Sequence, residues 1–153
     1  MEKKSILTII LIVIIILIVG FLASEFLYQS QVSVGDIKFS IPEGYHKGAN
    51  NNANDINLTN GYNSIFITKY NDSDVNKHVL EMREFVKTQN HTPIITNFTV
   101  DNITVYKLTI VNNTQYYRYW FVDKDITYGI YTWDGNTNTD NLVSKLIKST
   151  QNS

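Results

Sequence analysis

Cysteine is absent from this chain of 153 residues, which excludes disulfide bonds, thiolate metal sites, cysteine nucleophiles and lipid attachment through cysteine. An excess of charge is missing as well, since 13 basic and 14 acidic side chains leave a net charge of -1. A protein that binds nucleic acid or an anionic membrane surface electrostatically needs a basic surface. We therefore expect no nucleic-acid partner.

Motifs for metal binding and catalysis are also missing. The three histidines, His46, His78 and His91, lack the i, i+4 spacing of a helical zinc site. Two stretches that begin at Asp72 and Asp134 resemble the start of a calcium loop, but both lack the glycine at position six and the glutamate at position twelve. No Gly-x-Ser-x-Gly elbow or phosphate-binding glycine loop occurs. We predict no catalytic residues, no metal site and no cofactor, in a protein that is not an enzyme.

A long apolar run is the first feature that is present. Residues 6–23 include 15 Ile, Leu, Val or Phe residues and no charged side chain. An apolar helix of about 20 residues spans the hydrocarbon core of a bilayer, so we predict a transmembrane anchor over residues 5–28. Lys3 and Lys4 precede the run, and the positive-inside rule places this end of the chain in the cytoplasm.

The predicted protein is therefore a single-pass protein of the cell membrane. Residues 1–4 form its cytoplasmic head and residues 29–153 an extracytoplasmic domain. A cleaved secretory signal is one alternative, although Leu22-Ala23-Ser24 is a poor cleavage site and the apolar run is long. A type IV pilin subunit is another, although the chain lacks a glycine before the run and a glutamate near its start.

Asparagine is unusually abundant, with 18 residues, and with the many Ile, Lys and Tyr residues it indicates an AT-rich prokaryotic genome, an archaeal one among the options. Six Asn-x-Ser/Thr acceptors occur in the sequence. Asn57, Asn102 and Asn112 lie at predicted strand ends or turns, whereas Asn97 lies within a predicted strand. If the protein is glycosylated, we expect the first three to be more accessible than Asn97.

Strand and turn signals dominate after the apolar run. Residues 32–41 alternate around Gly35-Asp36, and Asn60-Gly61 separates two strand-like runs, which predicts a hairpin. Four further strand-like runs follow Pro93 and predict an antiparallel meander, over residues 94–100, 103–111, 115–122 and 126–133.

Two helices complete the prediction. Asp72-Ser73-Asp74 offers capping oxygens before apolar residues at helical spacing, which predicts a helix over about residues 74–89. Thr139 or Asp140 is expected to cap a final helix. Two helices on an antiparallel sheet make an α+β domain.

The segment Phe39-Ser40-Ile41-Pro42-Glu43-Gly44-Tyr45 resembles the opening strand end of the Mog1/PsbP-like family. The resemblance covers about residues 34–149 and would make the chain a membrane-anchored prokaryotic member. It implies an antiparallel sheet sandwiched by helices, with a helix after the last strand. The family has diverse binding and assembly roles, so the resemblance implies a non-enzymatic tendency and no particular site residues.

Aromatic residues are concentrated in the last predicted hairpin, with eight in residues 116–133. Because successive strand residues face opposite sides, both faces of this hairpin are aromatic. One interpretation is a strand pair buried under helices on both sides. The other is an exposed groove for glycan, lipid or peptide, which the Asn-rich loop of residues 46–55 would cover. The predicted ligand contacts are Arg118, Trp120, Tyr131 and Trp133.

These observations predict a membrane-tethered, non-enzymatic binding or assembly module outside the cytoplasm. Its expected partners are the lipid bilayer, through residues 5–28, and a cell-surface protein or envelope polymer. The alternative is a pilin-like or surface-layer structural subunit.

Overall fold

The computed structural model describes residues 10–21, 31–111, 116–132 and 138–151. The chain divides into two compact units, Met1–Gln31 and Val32–Ser153.

The described part of the first unit is Gln31 and one helix, α1, over residues 10–21, whose apolar side chains are exposed. Within the described residues, no helix is both long enough and apolar enough to cross a membrane. Residues 5–9 and 22–28 of the predicted anchor lie outside the described residues.

The rest of the structure contains nine described strands and two helices. The helices are α2, Val75–Thr88, and α3, Thr139–Thr150. The strands are β1 Gln31–Val34, β2 Ile37–Ser40, β3 His46–Lys47, β4 Asp55–Thr59, β5 Ser64–Lys69, β6 Thr92–Val100, β7 Ile103–Val111, β8 Tyr116–Asp123 and β9 Ile126–Thr132.

Seven of these strands form one antiparallel sheet in the order β3-β4-β5-β9-β8-β7-β6, and β1 and β2 form a separate hairpin. Strands β6 to β9 are sequential neighbours, which confirms the predicted meander. The last strand, β9, lies in the middle of the sheet because β5 pairs with its other edge. The predicted α+β class is therefore confirmed.

Turn chemistry explains where the strands reverse. Lys124 and Asp125, between β8 and β9, both have positive φ, which is the backbone of a tight two-residue hairpin turn. The predicted hairpin at Asn60-Gly61 is confirmed, but its turn is a four-residue loop. The Asn60 side chain accepts hydrogen bonds from the backbone N–H groups of Tyr62 and Asn63, and only Gly61 has positive φ.

Helix α2 covers one face of the sheet. Val79 and Val86 of this helix pack with Leu108 of β7 and Trp120 of β8 in a buried cluster. The helix begins as predicted, because the side chain of Asp74 accepts a hydrogen bond from the backbone N–H of Lys77 at 3.0 Å.

Helix α3 and the β1–β2 hairpin cover the opposite face. Val143 and Ile147 of α3 are buried with Phe39 of β2 and Phe121 of β8 in the larger core cluster. The described elements therefore place helices on both faces of the sheet.

The predicted start of α3 was wrong in detail. The helix is preceded by Asn138 rather than by Thr139 or Asp140, and the Asn138 side chain makes no capping hydrogen bond. Asp140 lies in the first turn, where its carboxylate bonds to the sheet instead of to the helix backbone.

Candidate functional site

The face of the sheet that carries α2 is only partly covered by that helix. Helix α2 packs against β6, β7 and β8. Beyond it, the sheet presents side chains that are half-buried: Phe66 and Thr68 of β5, Tyr131 of β9 and Arg118 of β8. We call these four residues the open face.

Strand register brings the open-face residues together. Tyr131 pairs with Phe66 on one side and with Arg118 on the other, so the three side chains lie in one row. The rings of Phe66 and Tyr131 are 6.1 Å apart between centroids. The guanidinium carbon of Arg118 lies 4.5 Å from the centroid of the Tyr131 ring, which is a cation–π contact.

A small recess opens between this row and the neighbouring row of Thr68, Gly129 and Trp120. Its volume is about 40 Å³, and Tyr70, Trp120 and Gly129 line it together with the open-face residues. A volume of this size holds roughly two or three water-sized groups, so the recess can take one small chemical group of a larger ligand.

Gly129 lets the ring of Tyr70 approach the sheet backbone closely, because it has no side chain. A Cβ atom at this position would lie 3.0 Å from Cε2 of Tyr70, 3.2 Å from its hydroxyl oxygen and 3.5 Å from Cδ1 of Trp120. Any larger residue would therefore push the Tyr70 ring away from the backbone of β9. Gly129 pairs with Trp120 on β8 and with Thr68 on β5, so its place in the register fixes where the Tyr70 ring packs.

Two buried hydrogen-bond donors at the recess have no partner. They are Nε of Arg118 and Nε1 of Trp120. The Trp120 side chain is 1% exposed, so its N–H group cannot be satisfied by bulk water. A buried donor without an acceptor costs about 1–3 kcal/mol, and native structures rarely keep one without a reason.

The electrostatic surroundings of the recess are positive. Arg118 is the charged residue among the described residues that line it, and no acidic side chain joins the lining. Burial raises the pKa of the Tyr131 hydroxyl, against the opposing effect of the nearby Arg118 charge. Tyr131 therefore stays neutral at physiological pH.

The structure brings three of the four predicted ligand contacts into this one recess: Arg118, Trp120 and Tyr131. Trp133 lies outside the described residues. Trp120 is a core residue that packs under α2, and Cδ1 of its ring lies 3.5 Å from the position that a Cβ of Gly129 would occupy.

Sequence reasoning missed the contributions of Phe66, Thr68, Tyr70 and Gly129. In β5 the alternation along the strand could have indicated Phe66 and Thr68, because they lie on the face opposite to the buried Ile65 and Ile67. The signal for Gly129 was a glycine inside a strand pattern, which often marks a close approach of other groups.

The Asn-rich loop does not cover the recess, contrary to the prediction for residues 46–55. None of these residues is part of the described lining. The backbone oxygen of Ala53 instead accepts from the N–H of Gly35, and that of Asn54 accepts from the N–H of Lys69. The loop is thus held beside the β1–β2 turn by its own hydrogen bonds.

A second cavity of about 280 Å³ lies between the β4–β5 turn and the start of α3. Asn60 and Asn63 line one side, and Asn138 and Asn141 line the other. These amides already take part in local bonds: Asn60 accepts from the turn backbone, and Nδ2 of Asn141 donates to Oδ1 of Asn138 at 2.6 Å. Because these amide groups already have hydrogen-bond partners, this cavity is a weaker candidate for a ligand site than the recess.

The histidines do not form a shared site. No group of three or more metal-ligating side chains occurs among the described residues. His78 instead bonds through Nε2 to Oδ1 of Asp72 at 2.8 Å and stacks on Tyr70, with ring centroids 3.9 Å apart. The hydrogen bond to His78 is the main reason that the pKa of the Asp72 carboxyl is lowered.

The predicted order of accessibility among the asparagines is wrong for one pair. Asn57 lies in the middle of β4, is half-buried and has a buried Oδ1 atom, whereas Asn97 on the edge strand β6 is exposed. Asn102, in the turn between β6 and β7, is exposed as predicted. Asn112 lies outside the described residues.

Neither a protein family nor a curated relative is matched that could be compared with this fold and recess. No protein-family model matches this chain, and no curated protein is significantly similar to it.

Proposed function

We propose that the protein is a membrane-tethered, non-enzymatic binding module that presents its α+β domain outside the cytoplasm and binds a cell-surface protein or an envelope polymer through the open face. The observation that carries this proposal is the recess. It joins a half-buried arginine, two aromatic rings and a buried indole N–H that has no acceptor of its own. Aromatic side chains with a polar tip are typical of binding surfaces.

The anchor and its orientation are supported by the sequence. Residues 6–23 are apolar and uncharged, Lys3 and Lys4 precede them, and the apolar side chains of the helix over residues 10–21 are exposed in the structure. Protease added to intact cells should remove most of the chain after residue 28 and leave the anchor with its short head. Full protection of residues 29–153 would show the reverse orientation.

A Mog1/PsbP-like architecture is part of the proposal. Its support is the segment Phe39–Tyr45, the antiparallel sheet with helices on both faces, and a helix after the last strand. Members of that family act by binding and assembly, which agrees with a non-enzymatic role.

Binding can be measured with the full chain in lipid nanodiscs and envelope fractions from the source cells. We expect retention of the protein by one fraction and loss of that retention in Phe66→Ala and Tyr131→Ala. The matched control is Tyr62→Ala, because Tyr62 is 95% exposed and lies in the β4–β5 turn, away from the recess. If all three variants are retained equally, the open face does not take part in the binding.

The second candidate function is a structural subunit, pilin-like or of a surface layer, and one observation favours it. Among the described strands, β6 is a sheet edge of nine residues without a charged side chain, and Ile94 and Ile95 on it are exposed. Pro93 blocks pairing near the start of this edge, but an uncharged edge beyond it can pair with another strand. Filaments or ordered arrays that contain the chain, and that Ile95→Lys disrupts, would support this function, whereas a dispersed monomer in detergent would contradict it.

A further inference from the structure

We infer that two copies of this chain pair through the exposed edge of β6, as antiparallel strands related by a two-fold axis at Asn97, so that the sheet of one copy continues into the other. The inference goes beyond the proposed function, because β6 is an edge strand that carries none of the open-face residues.

The two edges of the seven-stranded sheet differ in how well they are protected. Among the described strands, the β3 edge has two residues, and one of them is Lys47. The β6 edge has nine residues and no charged side chain. Natural edge strands are usually short or charged, because both features prevent pairing with another chain. The sequence therefore protects the β3 edge and leaves the β6 edge able to pair.

The register of β6 on β7 shows which backbone groups face the open edge. Val100 and Ile103 flank the two-residue turn between these strands, so they form a hydrogen-bonded pair. Hydrogen-bonded and non-hydrogen-bonded pairs alternate along antiparallel strands. The backbone N–H and C=O groups of Ile95, Asn97 and Thr99 therefore point away from β7, toward the open edge.

Pro93 agrees with this assignment and limits the segment that can pair. It lies two residues before Ile95, so its nitrogen also faces the open edge, where the missing N–H group costs no bond to β7. In a register centred on Asn97, this residue faces its own copy and Ile95 faces Thr99 of the second copy. Three N–H groups on each of the two strands then donate, which gives six backbone hydrogen bonds, and Pro93 lies beyond the ladder.

Apolar side chains are exposed on both faces of the sheet at this edge. Ile95 shares the face of its cross-strand partner Leu108, which packs under α2, and Ile95 is 36% exposed. Ile94 lies on the opposite face and is 49% exposed. A strand added at the β6 edge would therefore cover apolar surface on both faces.

Helix α2 adds another exposed apolar side chain on the same side of the domain. Val79 packs onto the sheet, so His78 and Leu80 lie on opposite flanks of the helix, about 100° to either side of Val79. His78 stacks on Tyr70, whose ring lies against Gly129 of β9. Leu80, which is 46% exposed, therefore lies on the flank toward β6.

The side chains of the edge are compatible with a second copy of the same edge. Like charges that face each other across two strands destabilise a pair, and the nine residues of β6 carry no charge. In the register centred on Asn97, Ile94 faces Val100 of the second copy, and Ile95 faces Thr99. These are pairs of β-branched residues, which sheets favour. The two Asn97 amides meet at the axis, where each has donors and an acceptor for the other.

Cysteine crosslinking of the full chain in detergent micelles tests the pairing. The chain has no cysteine, so a single introduced thiol can form only an intermolecular disulfide. Facing residues of a hydrogen-bonded pair have Cα atoms about 5.5 Å apart, within the range of about 4.4–6.8 Å that a disulfide needs. Asn97→Cys should therefore form covalent dimers under mild oxidation. This substitution also removes the glycan acceptor at Asn97, where a glycan would lie at the axis and prevent pairing.

Control variants locate the effect. Asn102 is exposed in the β6–β7 turn, and its two copies would lie roughly 30 Å apart in this register. We expect Asn97→Cys to crosslink about tenfold faster or more than Asn102→Cys. Thr99→Pro, added to Asn97→Cys, removes an outward N–H group but no bond to β7, so it should slow crosslinking. Ile95→Lys places a charge on the edge and should slow crosslinking as well, even if Thr99→Pro does not fold.

Sedimentation of the chain without introduced cysteines is the independent measurement, with the protein made in a host that attaches no N-linked glycans. We expect a dimer that Ile95→Lys converts to a monomer. Equal crosslinking of Asn97→Cys and Asn102→Cys, a monomer at all concentrations, a dimer that Ile95→Lys leaves intact, or assemblies longer than a dimer would each overturn the inference. Phe66→Ala and Tyr131→Ala should leave the pairing unchanged, so its failure is distinct from failure of binding at the open face.

Discussion

The hydroxyl of Tyr119 donates a hydrogen bond of 2.7 Å to Oδ1 of Asp140 and so ties the middle of the sheet to the first turn of α3. Tyr119 is fully buried. Nζ of Lys107 bonds to both oxygens of the same carboxylate, at 2.8 Å and 2.9 Å, and lies 4.6 Å from the centroid of the Tyr117 ring. Because the Asp140 carboxylate bonds to Tyr119 and Lys107 of the sheet, it holds the start of α3 against the sheet and does not cap the helix.

The first prediction follows from that bond. Tyr119→Phe should lower the free energy of unfolding by about 1–2 kcal/mol, because it removes a part-buried hydrogen bond to a charged acceptor while keeping the ring. Urea unfolding followed by circular dichroism measures the loss. Tyr62→Phe is the matched control, since its hydroxyl is in an exposed turn residue and should contribute almost nothing. Equal stabilities for the two variants would contradict a structural role for the Tyr119–Asp140 bond.

The second prediction concerns stability at alkaline pH. Burial, followed by the hydrogen bond to Asp140, raises the pKa of Tyr119, and burial also raises the pKa of Tyr128 and of Tyr131. Below pH 10 both the folded and the unfolded states keep these protons, so the contribution to stability is fully present. Above pH 10 the unfolded state loses them first, and the free energy of unfolding should fall as the pH rises.

Tyr119→Phe isolates one of these contributions. The quantity to measure is the difference between wild type and variant across pH 9 to 11, because every other titratable group is common to both proteins. The variant should lose stability less steeply than wild type above pH 10. Parallel curves would show that the phenol of Tyr119 ionises as easily in the folded state as in the unfolded one.

Most of the sheet could be predicted from the sequence because its signals are local. The alternation of apolar and polar residues predicted the strands after Pro93. Turn residues such as Asp125 predicted where one strand ends and the next begins. The recess could not be predicted, because Phe66 meets Gly129 and Trp120 through the pairing of β5 with β9, two strands that are distant along the chain. The accessibility of Asn57 failed for the same reason: its amide nitrogen lies 2.7 Å from where a Cβ of Gly48 would be, across the β3–β4 edge.

The third prediction concerns the turn between β1 and β2. Gly35 has a φ of +59°, and a Cβ there would come within 3.0 Å of Cε of Lys69, whose Nζ forms an ion pair with Asp36 at 3.7 Å. Gly35→Ala should therefore cost about 1–2 kcal/mol from the backbone alone, plus the displacement of Lys69. Gly61→Ala is the control, because Gly61 also has positive φ but nothing lies within 4 Å of its Cβ position. An equal loss in Gly35→Ala and Gly61→Ala would show that Lys69 moves aside without cost.

The fourth prediction concerns which acceptor asparagines carry a glycan if the source cell glycosylates this protein. The transferase needs an acceptor amide that it can reach, and the exposure of Asn102 and Asn97 meets this need. Asn57 does not meet it, because its Oδ1 atom is buried and its backbone N–H is bound by the side chain of Asn51 at 2.6 Å. Glycopeptide mapping of the native protein should find modification at Asn102 or Asn97 and an unmodified Asn57. Thr104→Ala, which destroys the acceptor at Asn102, should remove that mass while leaving Asn57 unchanged, and a glycan on Asn57 would mean that β4 is modified before it pairs with its neighbours.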